Sequence, residues 1–322
     1  MTPEILEALS SVILMLGIGY YSRKHNILTE AAEGSLLKFL INVLLPCFVF
    51  SKVVGNPMIK NSDNALWAPL AGFLGVTVSV VICLFFARYV FKIKSLKEKT
   101  AQSTFAVATG LQNYGFIAIP VIERVFGDDL LGIMLLHNMG VELAIWSIAI
   151  MVLSGKLGKE AILKMVNGPS IAVILSIIIN SSGFDAYIPE FFKLSMDSVG
   201  AAFIPMGIIL IGTTIYGCLQ TPEAKLREWV KDYQLLLTAH FLRSGLLPLI
   251  IIYMAYAMPY SEGLLKVIIV EAAMPAAFIP IVLSKFYGGK PAIAMKISLT
   301  SMVVGFIVLP FWVSFGRSVL GV

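Results

Sequence analysis

Charge is scarce in this sequence. Only 13% of its 322 residues are Asp, Glu, Lys or Arg, against 58% hydrophobic, where a soluble domain carries about 25% charged residues. That shortage leaves no room for a soluble domain of any size and places the chain in a bilayer. Histidine is rare too: His25, His137 and His240 are too scattered for a metal site of recognisable spacing. The three cysteines, Cys47, Cys83 and Cys218, lie far apart in apolar runs and read as packing residues. There is no phosphate-binding glycine loop and no nucleophile elbow, nor a zinc or helix-turn-helix pattern. Neither an enzyme nor a cofactor, metal or nucleic-acid partner is therefore expected. The opening MTPEILEAL has acids where a secretory signal carries Lys or Arg, so the first apolar run is expected to be retained as a span.

Long apolar runs are what the sequence has. A membrane-spanning helix needs roughly 20 apolar residues, and about ten segments qualify, near 5–22, 34–55, 66–90, 101–126, 129–154, 168–182, 189–218, 233–257, 263–287 and 291–319. The expected fold is an all-α polytopic membrane protein. Basic residues choose its orientation. With the N-terminus outside, 15 Lys and Arg fall on inner connections and 6 on outer ones. The positive-inside rule then puts both termini outside the cytoplasm of a cell (plasma) membrane protein.

The spans divide into two fives. Residues 1–155 form the first unit, 156–167 a short cytoplasmic linker and 168–322 the second. An odd number of crossings in each makes the second unit inverted. Proline breaks match across the units: Leu45-Pro46 answers Ile204-Pro205, and Ile119-Pro120 answers Ile279-Pro280. Inverted five-helix repeats with broken helices crossing at mid-membrane are a transporter architecture.

One stretch inside the fourth segment is unusually polar. Gly110–Gly127, GLQNYGFIAIPVIERVFG, holds a Gln, an Asn, a Tyr, three glycines and a proline, and polar groups at membrane depth are costly unless satisfied. Its counterpart is Glu271–Gly289, EAAMPAAFIPIVLSKFYGG. A helix that stops in the membrane leaves backbone groups without partners, and the half-helix restarting there aims N–H groups and a partial positive charge at the midplane. A small carboxylate suits the N–H ends, and a proton or sodium ion suits the carbonyl ends. Gln112, Asn113, Tyr114 and Pro120 are the substrate-site candidates of the first break.

Ionisable residues inside spans are functional candidates by default. Glu142 lies about 13 residues into the fifth span, roughly 20 Å along a helix. A carboxyl in such surroundings can exchange a proton near physiological pH. Asn138 stands four residues before it and shares its face, while the neighbouring His137 points elsewhere. Arg243 lies about ten residues into the eighth span, read either as countercharge for substrate or as a helix-tying partner of Glu142 or Glu271. Glu271 is four residues before Pro275.

These residues resemble the auxin efflux carrier family, which includes bacterial carriers and plant auxin exporters. Asn113-Tyr-Gly-Phe-Ile-Ala-Ile-Pro120 is similar to the family's Asn-x-Gly-x-x-x-x-Pro. Ala272-Ala-Met-Pro-Ala276 and His137-Asn138 with Glu142 ahead of Trp146 add to the likeness. The resemblance implies crossing fourth and ninth helices, with substrate beside the crossing prolines and near Asn113, Met274, Pro275 and Phe278. It also implies a scaffold of spans 1, 2, 6 and 7 that often forms a homodimer. Spans 3–5 and 8–10 would then move in an elevator-like way. Unlike the plant exporters, the chain has no long central loop and no acid between Trp67 and Tyr89.

The expected function is secondary transport of a small organic anion, a mono- or dicarboxylate of the auxin or malate/malonate kind. Glu142, His137 and Glu271 are its candidates for proton coupling. Two alternatives stay open. A non-transporting ligand sensor would be expected to carry a soluble output segment, and a cation/proton antiporter would be expected to carry acidic pairs at the breaks.

Overall fold

The computed structural model describes residues 3–59, 62–156 and 168–322; the expected linker 156–167 lies outside them apart from Lys156. All regular structure among the described residues is helical, and its main elements are α1 (Pro3–Lys24), α2 (Glu30–Val53), α3 (Asp63–Val90), α4 (Lys99–Gly110), α5 (Ala118–Phe126), α6 (Asp128–Ser154), α7 (Gly168–Ser182), α8 (Glu190–Leu219), α9 (Tyr233–Tyr256), α10 (Glu262–Ala273), α11 (Ile279–Phe286) and α12 (Pro291–Leu320). Seven of these, α1, α2, α3, α6, α8, α9 and α12, are long and apolar enough to cross a membrane by length and composition.

The difference from ten expected spans lies mostly in two interruptions. The fourth apolar segment is divided into α4 and α5, of 12 and 9 residues. The ninth is divided into α10 and α11, of 12 and 8 residues. Both are cut at nearly the same point, and no piece alone reaches the roughly 20 residues a crossing needs. The sixth expected span appears as the 15-residue α7.

Local chemistry sets several element boundaries. Thr29 caps α2 by accepting the Ala32 N–H at 3.3 Å, and Ser261 caps α10 through the Leu264 N–H at 3.2 Å. Ahead of two prolines in long helices the turn widens to π geometry, at Leu40–Leu44 before Pro46 and at Phe241–Leu246 before Pro248. Proline lacks the N–H that would bond four residues back. At Pro248 the carbonyl so released, that of Ser244, accepts instead from the Trp312 indole at 2.7 Å.

The helices pack in two groups. In one, α1 lies along α8, and α2 packs against α7 and α8; in the other, α3 packs with α4 and α6, and α12 packs with α4, α10 and α11. Glycine permits the closest approach in each. A Cβ on Gly19 of α1 would stand 1.9 Å from the Ile209 carbonyl oxygen of α8. A Cβ on Gly140 of α6 would stand 1.7 Å from the Pro69 carbonyl oxygen of α3. Between the groups run two ion pairs, Arg124 with Glu7 and Lys52 with Asp128, the latter at 2.9 Å.

Candidate binding site at the two helix interruptions

The interruptions meet. Residues 111–117 and 274–278 leave their helices and pair as a short antiparallel bridge between Gln112 and Ala276. The Asn113 N–H donates to the Pro275 carbonyl at 2.8 Å, and the Ala277 N–H donates to the Leu111 carbonyl at 2.9 Å. Each break thus supplies part of what the other lacks, as buried backbone groups require. The rest comes from α12, whose Ser301 hydroxyl accepts the Ala276 N–H at 2.9 Å and whose Ser298 hydroxyl donates to the Ala277 carbonyl at 2.6 Å. Pro275 is seated against Gly305 of α12, where a Cβ would come within 2.7 Å of the proline ring.

Pro120 and Pro280 stand inside the first turns of α5 and α11. There a missing N–H costs no helical bond. The first break is therefore made by Leu111–Ile117, with Pro120 just beyond it, while Pro275 stands within the second break.

Arg243 ties the two breaks together from behind. Its guanidinium donates to the Ala272 carbonyl at 2.8 Å and reaches the Gly110 carbonyl at 3.5 Å. These carbonyls close α10 and α4, so one cation faces the negative ends of two helix dipoles. Each end is worth roughly half an elementary charge, enough together to neutralise a guanidinium. Arg243 is buried, and its Nε has no hydrogen-bond partner.

Two cavities lie near the breaks, one against the first turn of α5 and one against Gln112. The larger, about 720 Å³, lies between α1, α2 and α8 on one side and α5 on the other, lined among others by Ser11, Ser51, Lys52, Pro120, Glu123 and Asp197. The smaller, about 30 Å³, lies within the second helix group, with Gln112, His137, Tyr260 and Glu271 among its lining residues. Arg243 lines neither. Glu271 is 2% exposed and Gln112 3% exposed, so both side chains are committed to the interior.

The remaining candidates support the crossing or border it. The Asn138 side chain donates to the Tyr114 carbonyl at 2.8 Å, holding the first break against α6, and the His137 ring lies 3.4 Å from the Asn138 amide oxygen. Glu142, half-buried on α6, lies within electrostatic range of Tyr114. Met274 is buried, and Phe278 is half-buried at the start of α11.

The geometry thus brings Gln112, Asn113, Tyr114 and Pro275 together at the crossing and Gln112, His137 and Glu271 at the small cavity, and sets Pro120 on the large one. Sequence reasoning missed Ser298 and Ser301. Their spacing of three residues on one face of the last span was the available signal. Nor did sequence reasoning give Lys52, Glu123 or Asp197 a place in a site.

A bundle of apolar helices, two of them interrupted and joined where they meet, defines a polytopic membrane transport protein. A family model described as membrane transport protein matches residues 4–165 and 157–313, and the chain belongs to that family, the auxin efflux carriers. An uncharacterized transporter of Methanothermobacter thermautotrophicus is 24% identical over 309 residues, covering 95% of this chain and 96% of the relative. One from Methanocaldococcus jannaschii is 26% identical over 287 residues, covering 86% and 87%. The Escherichia coli uncharacterized transporter YfdV is 22% identical over 333 residues, covering 96% of each.

Proposed function

We propose that this transporter is a secondary-active carrier of a small organic anion, a mono- or dicarboxylate, working by elevator-type alternating access and coupled to protons. The observation that carries the reading is the meeting of two interrupted helices at an antiparallel bridge, beside a cavity large enough for such a substrate. Ligand pockets of roughly 300–1,000 Å³ are typical of small molecules, and the 720 Å³ cavity reaches Pro120 in the first turn of α5. The N-terminal ends of α5 and α11 provide positive dipole ends for a carboxylate. The Asn113 side chain supplies hydrogen bonds, and Tyr114, Asn138, Met274, Pro275 and Phe278 shape the site. Arg243 acts by holding both breaks in register.

In this reading the ten apolar segments form two inverted five-helix repeats. The group of α1, α2, α7 and α8 is the scaffold and the homodimer interface, and the other group carries the substrate. Protons enter through Glu142, His137 or Glu271. The test is uptake of labelled malate, malonate and indole-3-acetate by purified protein in liposomes, with and without a pH gradient. Asn113→Ala is expected to abolish uptake of the transported compound while leaving folding intact. Uptake unchanged by that substitution refutes the site.

A further inference from the structure

Three buried polar atoms at the small cavity have no partner: both carboxylate oxygens of Glu271 and Oε1 of Gln112. All three are acceptors. Glu271 and Gln112 line the same cavity, yet an ionised carboxylate can only accept. It can take one bond from the Gln112 NH2, which leaves the amide oxygen stranded. A carboxylic acid pairs in both directions, its O–H donating to Oε1 and its carbonyl accepting from Nε2. One proton therefore resolves what is otherwise a cluster of buried unsatisfied acceptors, an arrangement that is costly and rare.

From these atoms we infer that Glu271 and Gln112 form an internal proton-binding site, in which the Glu271 carboxylic acid is hydrogen-bonded to the Gln112 amide. The site is separate from the substrate cavity, which Glu271 does not line. It rests on the transporter reading only for its consequence, not for its existence. The groups facing Glu271 fit a neutral acid. Arg243 on α9 is a positive charge that acts on it, but both of its NH2 groups turn to the ends of α4 and α10, and only Nε is left unbonded. His137 on α6 and Tyr260 line the same cavity, and Tyr114 of the first break lies within electrostatic range. A space of about 30 Å³ admits water, and hence protons, but no organic anion. Glu271 also sits in the last turns of α10, directly before the Met274–Phe278 break. Loss of its proton would create a carboxylate beside the same carbonyl ends that Arg243 holds, so protonation and the geometry of the crossing are linked.

The test is infrared difference spectroscopy of the purified full-length protein between neutral and alkaline pH, which needs no substrate. The wild type is expected to show the carbonyl stretch of a buried protonated carboxyl. That band disappears in Glu271→Gln and persists in Glu142→Gln. Gln112→Leu moves it to higher frequency, because the acid loses its hydrogen-bond partner. A band unaffected by Glu271→Gln, or no protonated carboxyl at neutral pH, overturns the inference and leaves cavity water as the partner of an ionised Glu271. In liposomes, Glu271→Gln keeps counterflow exchange of whichever carboxylate the wild type carries. It loses the accumulation of about tenfold that one pH unit can drive for a one-proton carrier. Accumulation equal to wild type also overturns the inference. A wild type that carries no carboxylate defeats the substrate reading and leaves the infrared result to decide the proton site.

Discussion

If the two half-helix ends neutralise Arg243, then removing Arg243 destabilises the protein by an amount that does not depend on Glu271. The guanidinium makes one short bond to the Ala272 carbonyl, 2.8 Å, and one long one to the Gly110 carbonyl, 3.5 Å. Hydrogen bonds to charged groups contribute about 1.5–3 kcal/mol each, with the longer one at or below the bottom of that range. Deleting the side chain also relieves the desolvation of a buried cation, which offsets part of the loss. Arg243→Met is therefore expected to cost about 2–3 kcal/mol, a shift of about 30- to 150-fold in the folded-to-unfolded ratio. Reversible unfolding in mixed micelles can measure this in the wild-type and Glu271→Gln backgrounds as a double-mutant cycle. Neutralisation by the helix ends predicts a coupling energy within about 0.5 kcal/mol of zero. A coupling above about 1.5 kcal/mol would show that Arg243 is balanced by an ionised Glu271, and an Arg243→Met protein as stable as wild type would show that the helix ends need no cation.

Two further predictions concern the frame around the crossing. Asp232, at the approach to α9, accepts from Lys296 at 2.7 Å and from Ser95 at 2.5 Å. Burial alone would push its carboxyl up, but those bonds and the nearby Lys296 and Lys231 charges outweigh it and hold the carboxyl below its usual range. A carboxyl held low stabilises the fold above the ordinary carboxylate range and loses that contribution as pH falls through its own lowered value. Asp232→Asn should thus lower Tm at pH 7 and converge with wild type in acid; a Tm difference independent of pH refutes the assignment. Gly140→Ala should be the more disruptive of two matched substitutions. Its Cβ would meet the Pro69 carbonyl at 1.7 Å, whereas Gly75→Ala on α3 meets nothing within 4 Å. Overpacking costs about 1–3 kcal/mol or more, so equal melting temperatures for the two variants would refute the α3–α6 packing.

The interruptions were legible because they are written in residue types that helices in lipid avoid. Gly110, Gln112, Asn113 and Gly115 mark the first, and Pro275 marks the second. What proline could not reveal was position. Pro120 and Pro280 stand after the breaks, in first turns that tolerate them. The serines of α12 were less legible, because an isolated serine in a membrane helix commonly bonds its own preceding turn. Only the placement of α12 against the second break turns Ser298 and Ser301 into its hydrogen-bond partners. Arg243 was legible as a buried cation but not in its role, since its partners are main-chain carbonyls, which carry no sequence signature. The large cavity arises from packing between helices distant in sequence, so Lys52, Glu123 and Asp197 had no local pattern that would join them.

The pairing of the breaks narrows how an anion can be recognised. A broken helix is attractive as an anion site because its backbone N–H groups are free, yet two of the obvious donors are already used. The Asn113 N–H bonds Pro275 and the Ala277 N–H bonds Leu111. A third, that of Ala276, is taken by Ser301, and Pro275 has none to give. The backbone at the bridge therefore holds the crossing together rather than the substrate. In the proposed reading, recognition falls to the dipoles at the starts of α5 and α11 and to the side chain of Asn113. This is why Asn113→Ala is informative: it removes the amide side chain while the N–H bond to Pro275 remains. Loss of uptake with an unchanged melting temperature would then report the side chain's contact with substrate. Loss of both would place Asn113 in the frame of the crossing and move recognition to the helix ends.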